Sequence, residues 1–235
     1  MRVVRGELSD VDADRQVTSE LTRLTEQTVE PTLRVWTPPR QLAFGRRDST
    51  VGGYQQARRI ATEHGYQPLE RSVGGSAVAY TGTTVAFAIA IPTETDRGGI
   101  EDRYRETAAD LSRALETVGA TVIHGEPSGS FCPGEHSLQS DGKIAGIAQR
   151  VRRESALVGG CIIVSRSDAE SISRVLEPVY AALGIPFDPA AVGSVEGAGG
   201  SADIEKLLQA IETTFVGDRG AIQIPAETIL SDGPQ

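Results

Sequence analysis

Asp141-Gly142-Lys143-Ile144-Ala145-Gly146-Ile147-Ala148-Gln149-Arg150 reads as a tight turn feeding a β-strand. Asp-Gly is the pair a type I′ turn selects, because both central positions need positive φ, so the spacing predicts a β-hairpin between residues 137–140 and 143–152. The turn sets Lys143 at the start of a strand, where a rigid element can aim its ammonium. On alternating positions Ile144, Gly146 and Ala148 share one face, and their small side chains leave room for a thin ligand beside it. A lysine solvated at a turn is the plainer reading of the same residues.

Outward from this hairpin, strands and helices alternate irregularly. Residues 84–91 (TVAFAIAI) form an unbroken apolar run that suits a central strand covered on both faces. Residues 157–164 form another. Short strands are expected near the N-terminus, at 33–36, at 41–44 and at 120–124. Helical spacing of Val17, Leu21, Leu24 and Val29 predicts a helix before Pro31, and further helices are expected at 54–63, 100–118, 169–183 and 203–215. The glycine-rich stretch 193–200 reads as a mobile linker. These elements predict an α+β fold: a single domain over residues 1–235 with a mixed or antiparallel central sheet flanked by helices.

Composition narrows the function. The chain of 235 residues carries a formal net charge of -9, which disfavours nucleic acid and anionic lipid as partners. Only Lys143 and Lys206 are lysines among 23 basic residues. An acidic, lysine-poor surface fits a halophilic source, since screening shortens the Debye length to about 3 Å at 1 M salt. No apolar run approaches the ~20 residues that span a bilayer, so no membrane association and a cytoplasmic location are expected. A cytosolic chain of this size needs no disulfide, and Cys132 and Cys161 are read as thiols.

Two further segments carry chemistry. In Arg71-Ser72-Val73-Gly74-Gly75-Ser76-Ala77-Val78-Ala79-Tyr80-Thr81-Gly82, paired glycines let the backbone approach a ligand, and Arg71 can add a charge-assisted bond; an ordinary glycine turn would look the same. In Gly129-Ser130-Phe131-Cys132-Pro133-Gly134-Glu135-His136, a loop bounded by glycine and proline can make Cys132 reachable, with His136 a candidate base four residues on; a small buried hydrophobe is the plainer reading of the same cysteine. Cys161, inside an apolar run, reads as core. His64, His124 and His136 show no metal-ligand spacing, and no metal site is expected.

Taken together and in this order, the three segments resemble the catalytic domain of the lipoate–protein ligase and octanoyltransferase superfamily, which is related to the biotin ligases. The resemblance runs from about Leu33 to Val216 and implies a biotin/lipoate ligase-like catalytic core over residues 29–218. It implies a slot for a bent acyl chain, with Arg71, Gly74, Gly75, Ser76, Ala77, Val78, Tyr80, Gly142, Gly146 and Ala148 binding substrate and Lys143 beside the acyl carbonyl. Ser72, Ser76 and Tyr80 depart from the family pattern, where a second arginine, a glycine or arginine, and a histidine are common.

The segment around Cys132 is similar to the nucleophile loop of one group of cysteine-dependent octanoyl and lipoyl transferases. That likeness implies catalysis by Cys132 and Lys143 through a thioester with no cofactor. The alternative is an ATP- and magnesium-dependent ligase making an acyl-adenylate, with Gly74, Gly75 and Lys143 facing the phosphates and a separate accessory protein as its partner. A third reading is a non-catalytic module binding lipoate or lipoyl domains. The implied partners are an acyl donor and a lipoyl carrier domain, either a glycine cleavage H protein or a 2-oxoacid dehydrogenase acyltransferase subunit.

Overall fold

The structure, a computed structural model, describes residues 1–71, 75–93 and 99–231. Strands and helices are numbered in chain order. The main sheet has eight strands in the order β11 (Ile222–Pro225), β1 (Arg2–Arg5), β2 (Thr32–Trp36), β6 (Val85–Pro92), β10 (Ser155–Ile162), β9 (Lys143–Val151), β8 (Ser137–Gln139) and β7 (Ile123–His124). β1 pairs in parallel with β2 and β11, and the remaining neighbours are antiparallel. A second sheet places β3 (Gln41–Phe44) between β4 (Gln67–Glu70) and β5 (Val78–Tyr80). The class is the expected α+β, and the run at 84–91 is a central strand, β6.

Helices cover both faces of the main sheet. On one, α3 (Ile100–Thr117) and α5 (Ile204–Val216) bury Leu111, Leu115, Ile211 and Phe215 against Leu33, Phe87 and Val158. On the other, α1 (Val11–Thr28) and α6 (Ala226–Ser231) cover one end with Val17, Leu21 and Ile229 against Trp36, Ala86 and Ala88. The small sheet covers the rest, backed by α2 (Tyr54–Glu63) and α4 (Arg166–Leu183). Each buried aliphatic side chain there contributes about 1.5–3 kcal/mol.

Register explains why space remains between the layers. Trp36, Ala86, Cys161 and Gly146 lie side by side across β2, β6, β10 and β9. Two residues along, Ala88, Gly159 and Ala148 repeat the pattern. Apart from Trp36, and Arg34 beside Ala88 on β2, these are small residues, so this face of β6, β10 and β9 cannot fill the layer above it.

Several expectations are corrected. Val29 is not an apolar helix position: it is 74% exposed, at φ 54, as the left-handed cap that ends α1. Neither Asp141 nor Gly142 has positive φ, so the β8–β9 turn is not type I′. Gly142 is required for another reason: a Cβ there would lie 2.7 Å from the Gly193 nitrogen. Residues 193–200 are no free linker, since Gly193, Val195 and Glu196 donate backbone hydrogen bonds to Lys143, Ile163 and Val164 and Val195 is fully buried. That stretch is glycine-rich because it packs closely; at Gly200 a Cβ would fall 2.7 Å from Val195.

Candidate active site

The segment 125–136, between β7 and β8, forms little regular structure and is instead fastened by side chains. Lys143, the first residue of β9, is 2% exposed and donates to the carbonyls of Phe131 (3.1 Å) and Cys132 (2.9 Å) and to both carboxylate oxygens of Glu126 (3.0 and 3.1 Å). Glu126 also accepts from the hydroxyls of Ser130 and Ser137, so one carboxylate gathers both ends and the middle of the loop. From α4, the Tyr180 hydroxyl accepts from the Cys132 N–H at 2.7 Å and donates to the Ala77 carbonyl at 3.0 Å. Cys132 is thereby held at φ 42, a left-handed conformation that non-glycine residues seldom adopt and that clusters at functional sites.

The small sheet supplies the cation. Arg71 follows β4, donates its backbone N–H to the Phe44 carbonyl, and turns one guanidinium nitrogen to the Ser76 carbonyl (2.8 Å) and the Cys132 Sγ (3.1 Å). Burial alone would lower the Arg71 pKa, but Cys132 and Tyr80 outweigh it and raise it above the ordinary value. A fixed positive charge therefore lies against the sulfur, the environment in which reactive cysteines occur. Gly75, at φ 88, completes the contact: a Cβ there would come within 2.6 Å of the Cys132 Sγ. Gly45 must also lack a side chain, because its Cβ would sit 1.7 Å from the Gly75 carbonyl oxygen.

Above the small-residue face of the main sheet these groups open onto one cavity of about 320 Å³, within the size range of small-molecule sites. Arg71, Val78, Tyr80, Cys132, Lys143, Gly146 and Ala148 all line it. Gly75, Ser76 and Ala77 stand behind it through the contacts above, Gly142 packs away from it against Gly193, and Gly74 lies outside the described residues, as does Ser72. Ile144 belongs to the opposite core and does not share the Gly146 face. Cys161 is buried on the cavity floor, and desolvation pushes its thiol up to about 12. His136 does not serve Cys132; its ring stacks on Tyr104 at 3.8 Å. No metal-binding group of His, Cys, Asp or Glu occurs among the described residues.

The sequence profile of the lipoyl protein ligase A/B catalytic domain matches residues 14–216. The chain belongs to this family. Among curated members, the octanoyl-[GcvH]:protein N-octanoyltransferase of Lysinibacillus sphaericus is 33% identical over 158 residues, 66% of this chain and 56% of that protein. The enzyme of that name from Geobacillus kaustophilus is 30% identical over 149 residues, 62% of this chain and 53% of that one. The chain spans about half the length of these relatives. In fold it matches lipoate-protein ligase A bound with ATP, at TM-score 0.77 and 17% identity, over 98% of this chain and 92% of that one. The T. acidophilum protein Ta0514 with bound lipoic acid matches at TM-score 0.72 and 16% identity, over 98% and 93%.

For a member of the lipoyl protein ligase A/B family, the site holds partners that motif reading missed. Glu126 and Tyr180 carry no local signal, since one sits in an irregular loop and the other reads as an amphipathic helix position. Ala86, Ala88 and Ala90 did carry one: small residues at alternate positions of an otherwise bulky strand mark a face with space above it.

Proposed function

We propose that this chain is a cytoplasmic protein acyltransferase that carries a lipoyl-type acyl group, octanoyl or lipoyl, as a thioester on Cys132 and delivers it to a lysine of a lipoyl carrier domain. The observation that carries this reading is the Cys132 Sγ itself, lining the cavity with the Arg71 guanidinium 3.1 Å away. The names of the relatives support it, because they describe transfer from an octanoylated GcvH to a protein. A carrier protein bearing an acyl group of this type is accordingly the proposed donor.

In the first step the sulfur attacks the donor's amide carbonyl carbon, a C–S bond forms and the C–N bond breaks. The thiol proton leaves with the departing lysine amine. In the second step the acceptor's amine attacks the thioester, the C–S bond breaks, and the amine proton returns the thiol to its starting state. Thiolate attack replaces one difficult exchange with two easier ones. Arg71 stabilises charge on sulfur, and Lys143, with Glu126, holds the loop that presents it.

The route needs neither ATP nor magnesium. Among the described lining residues the one carboxylate is Asp14, already committed to Arg34 and Trp36, which supports a transferase over a magnesium-dependent ligase.

Intact mass spectrometry tests the proposal. Incubation with octanoylated carrier should add one acyl mass that is lost on Cys132→Ser substitution and on hydroxylamine treatment. Full activity of Cys132→Ser would end the thioester route, and formation of acyl-adenylate and pyrophosphate from lipoate, ATP and magnesium would install the ligase. Binding without turnover would leave a carrier- or lipoate-binding module.

A further inference from the structure

Away from Cys132 the cavity runs between the two sheets. Ala43 and Val78 are cross-strand partners on its wall, as are Gln41 and Tyr80 one step further along. Leu69 joins from β4 and Trp36 faces them from the main sheet. α1 lends Arg15 and Thr18 to the lining, and the polar residue that β3 contributes is Gln41. That side chain is 5% exposed, and its Oε1 is buried without a hydrogen-bond partner. The Trp36 N–H, which also lines the arm, is taken by Asp14 at 2.9 Å.

A buried amide left unpaired is costly, so an orphan in a ligand slot marks where a ligand atom belongs. Its place along the slot can be estimated. Gly45, at the end of β3, touches Gly75, which touches the Cys132 Sγ. Gln41 lies four residues back along the strand, about 13 Å at ~3.3 Å per residue. A medium-length acyl chain anchored at Cys132 and laid along β3 points its far end toward the amide.

Resting on the reading of the slot as an acyl site, we infer that Gln41 selects acyl groups whose distal end carries a hydrogen-bonding heteroatom, a sulfur or a hydroxyl, over plain alkyl chains of equal length. The amide offers both an acceptor and a donor, so it can serve a thiol or hydroxyl hydrogen and the weak acceptor of a dithiolane sulfur. A purely apolar tail leaves it unpaired. A pocket built to hydrogen-bond its ligand discriminates against the analogue lacking that group more strongly than an apolar pocket can discriminate against an added one.

Trp36 is the single tryptophan of the chain and lines this arm, so its fluorescence reports occupancy directly. Titration of the full chain with octanoate, lipoate and 8-hydroxyoctanoate is expected to give about tenfold tighter binding of at least one heteroatom-bearing acid, one hydrogen bond's worth. Gln41→Leu, close in volume, should abolish that preference while binding octanoate as well as wild type or better; Gln41→Met repeats the test if the first variant folds poorly. Equal affinities for all three acids in wild type, or an unchanged ratio in the variants, would overturn the inference. Acylation of Cys132 is read separately by mass: its absence alongside a Gln41-dependent preference would defeat the transferase reading and leave the tail selection standing.

Discussion

Both carboxylate oxygens of Glu126 accept from the ammonium of Lys143, at 3.0 and 3.1 Å, with Glu126 itself 19% exposed and Lys143 2%. Breaking such a pair leaves a buried charge short of partners, at a cost of about 3–5 kcal/mol. Glu126→Ala should therefore lower the thermal midpoint by on the order of 10 °C, read by calorimetry. Glu126→Leu combined with Lys143→Met should recover most of that stability without recovering acyl transfer. Lys143→Arg should cost activity on the order of 100-fold, because a planar fork cannot reproduce a point charge among four acceptors and the Cys132 loop shifts with it.

Gly75→Ala separates chemistry from stability. The added methyl would meet the Cys132 sulfur at 2.6 Å and the Arg71 guanidinium at 2.8 Å, at a backbone φ of 88. Thioester formation should fall at least as far as in Lys143→Arg, while the exposed position keeps the loss of stability near the ~1–2 kcal/mol that a left-handed alanine costs. Wild-type single-turnover acylation in this variant would remove Gly75 from the site.

The two thiols should differ sharply toward iodoacetamide. Cys132 is half-buried beside a guanidinium, whereas Cys161 is buried with its thiol pushed up to about 12 by desolvation. Peptide mapping after brief alkylation at pH 8 should find Cys132 modified and Cys161 intact. Equal labelling in the folded protein would contradict the burial and charge assigned to the pair.

Asp168, in the first turn of α4, forms a capping box with the N-cap Ser165 and accepts from Thr81, Thr83 and Ser165. Burial would raise its pKa, but the Thr81, Thr83 and Ser165 hydrogen bonds outweigh that and hold it below the ordinary value. The unfolded chain then binds the proton more readily, so the Asp168 contribution is complete above the unfolded pKa of about 3.9 and is lost as pH falls through the lower folded value. Denaturant unfolding of Asp168→Asn should show a shallower loss of stability in that acid window than wild type. Parallel curves would exclude this linkage.

The layered α+β arrangement was legible because its long elements announce themselves by periodicity: β6, α3, α4 and α5 lie where apolar spacing puts them. The short strands β4, β5 and β11 were not, since three or four residues hold too little pattern and their pairing comes from the sheet they join. Cys132, Lys143 and Arg71 could be singled out from their local sequence. That the arginine rather than His136 meets the sulfur depends on bringing together two residues 61 positions apart in the chain, which no local spacing encodes. Gly142 was recognised for the wrong reason, because a glycine needed for close approach and one needed for positive φ look alike in a sequence.

The sulfur of Cys132 straddles a seam. Its loop is anchored to the main sheet through Lys143, while the cation that meets it arrives on the small sheet through Arg71. A slide of one layer past the other by even an ångström would part the two without unfolding either, so substitutions that loosen this boundary should silence the thiol long before they melt the protein.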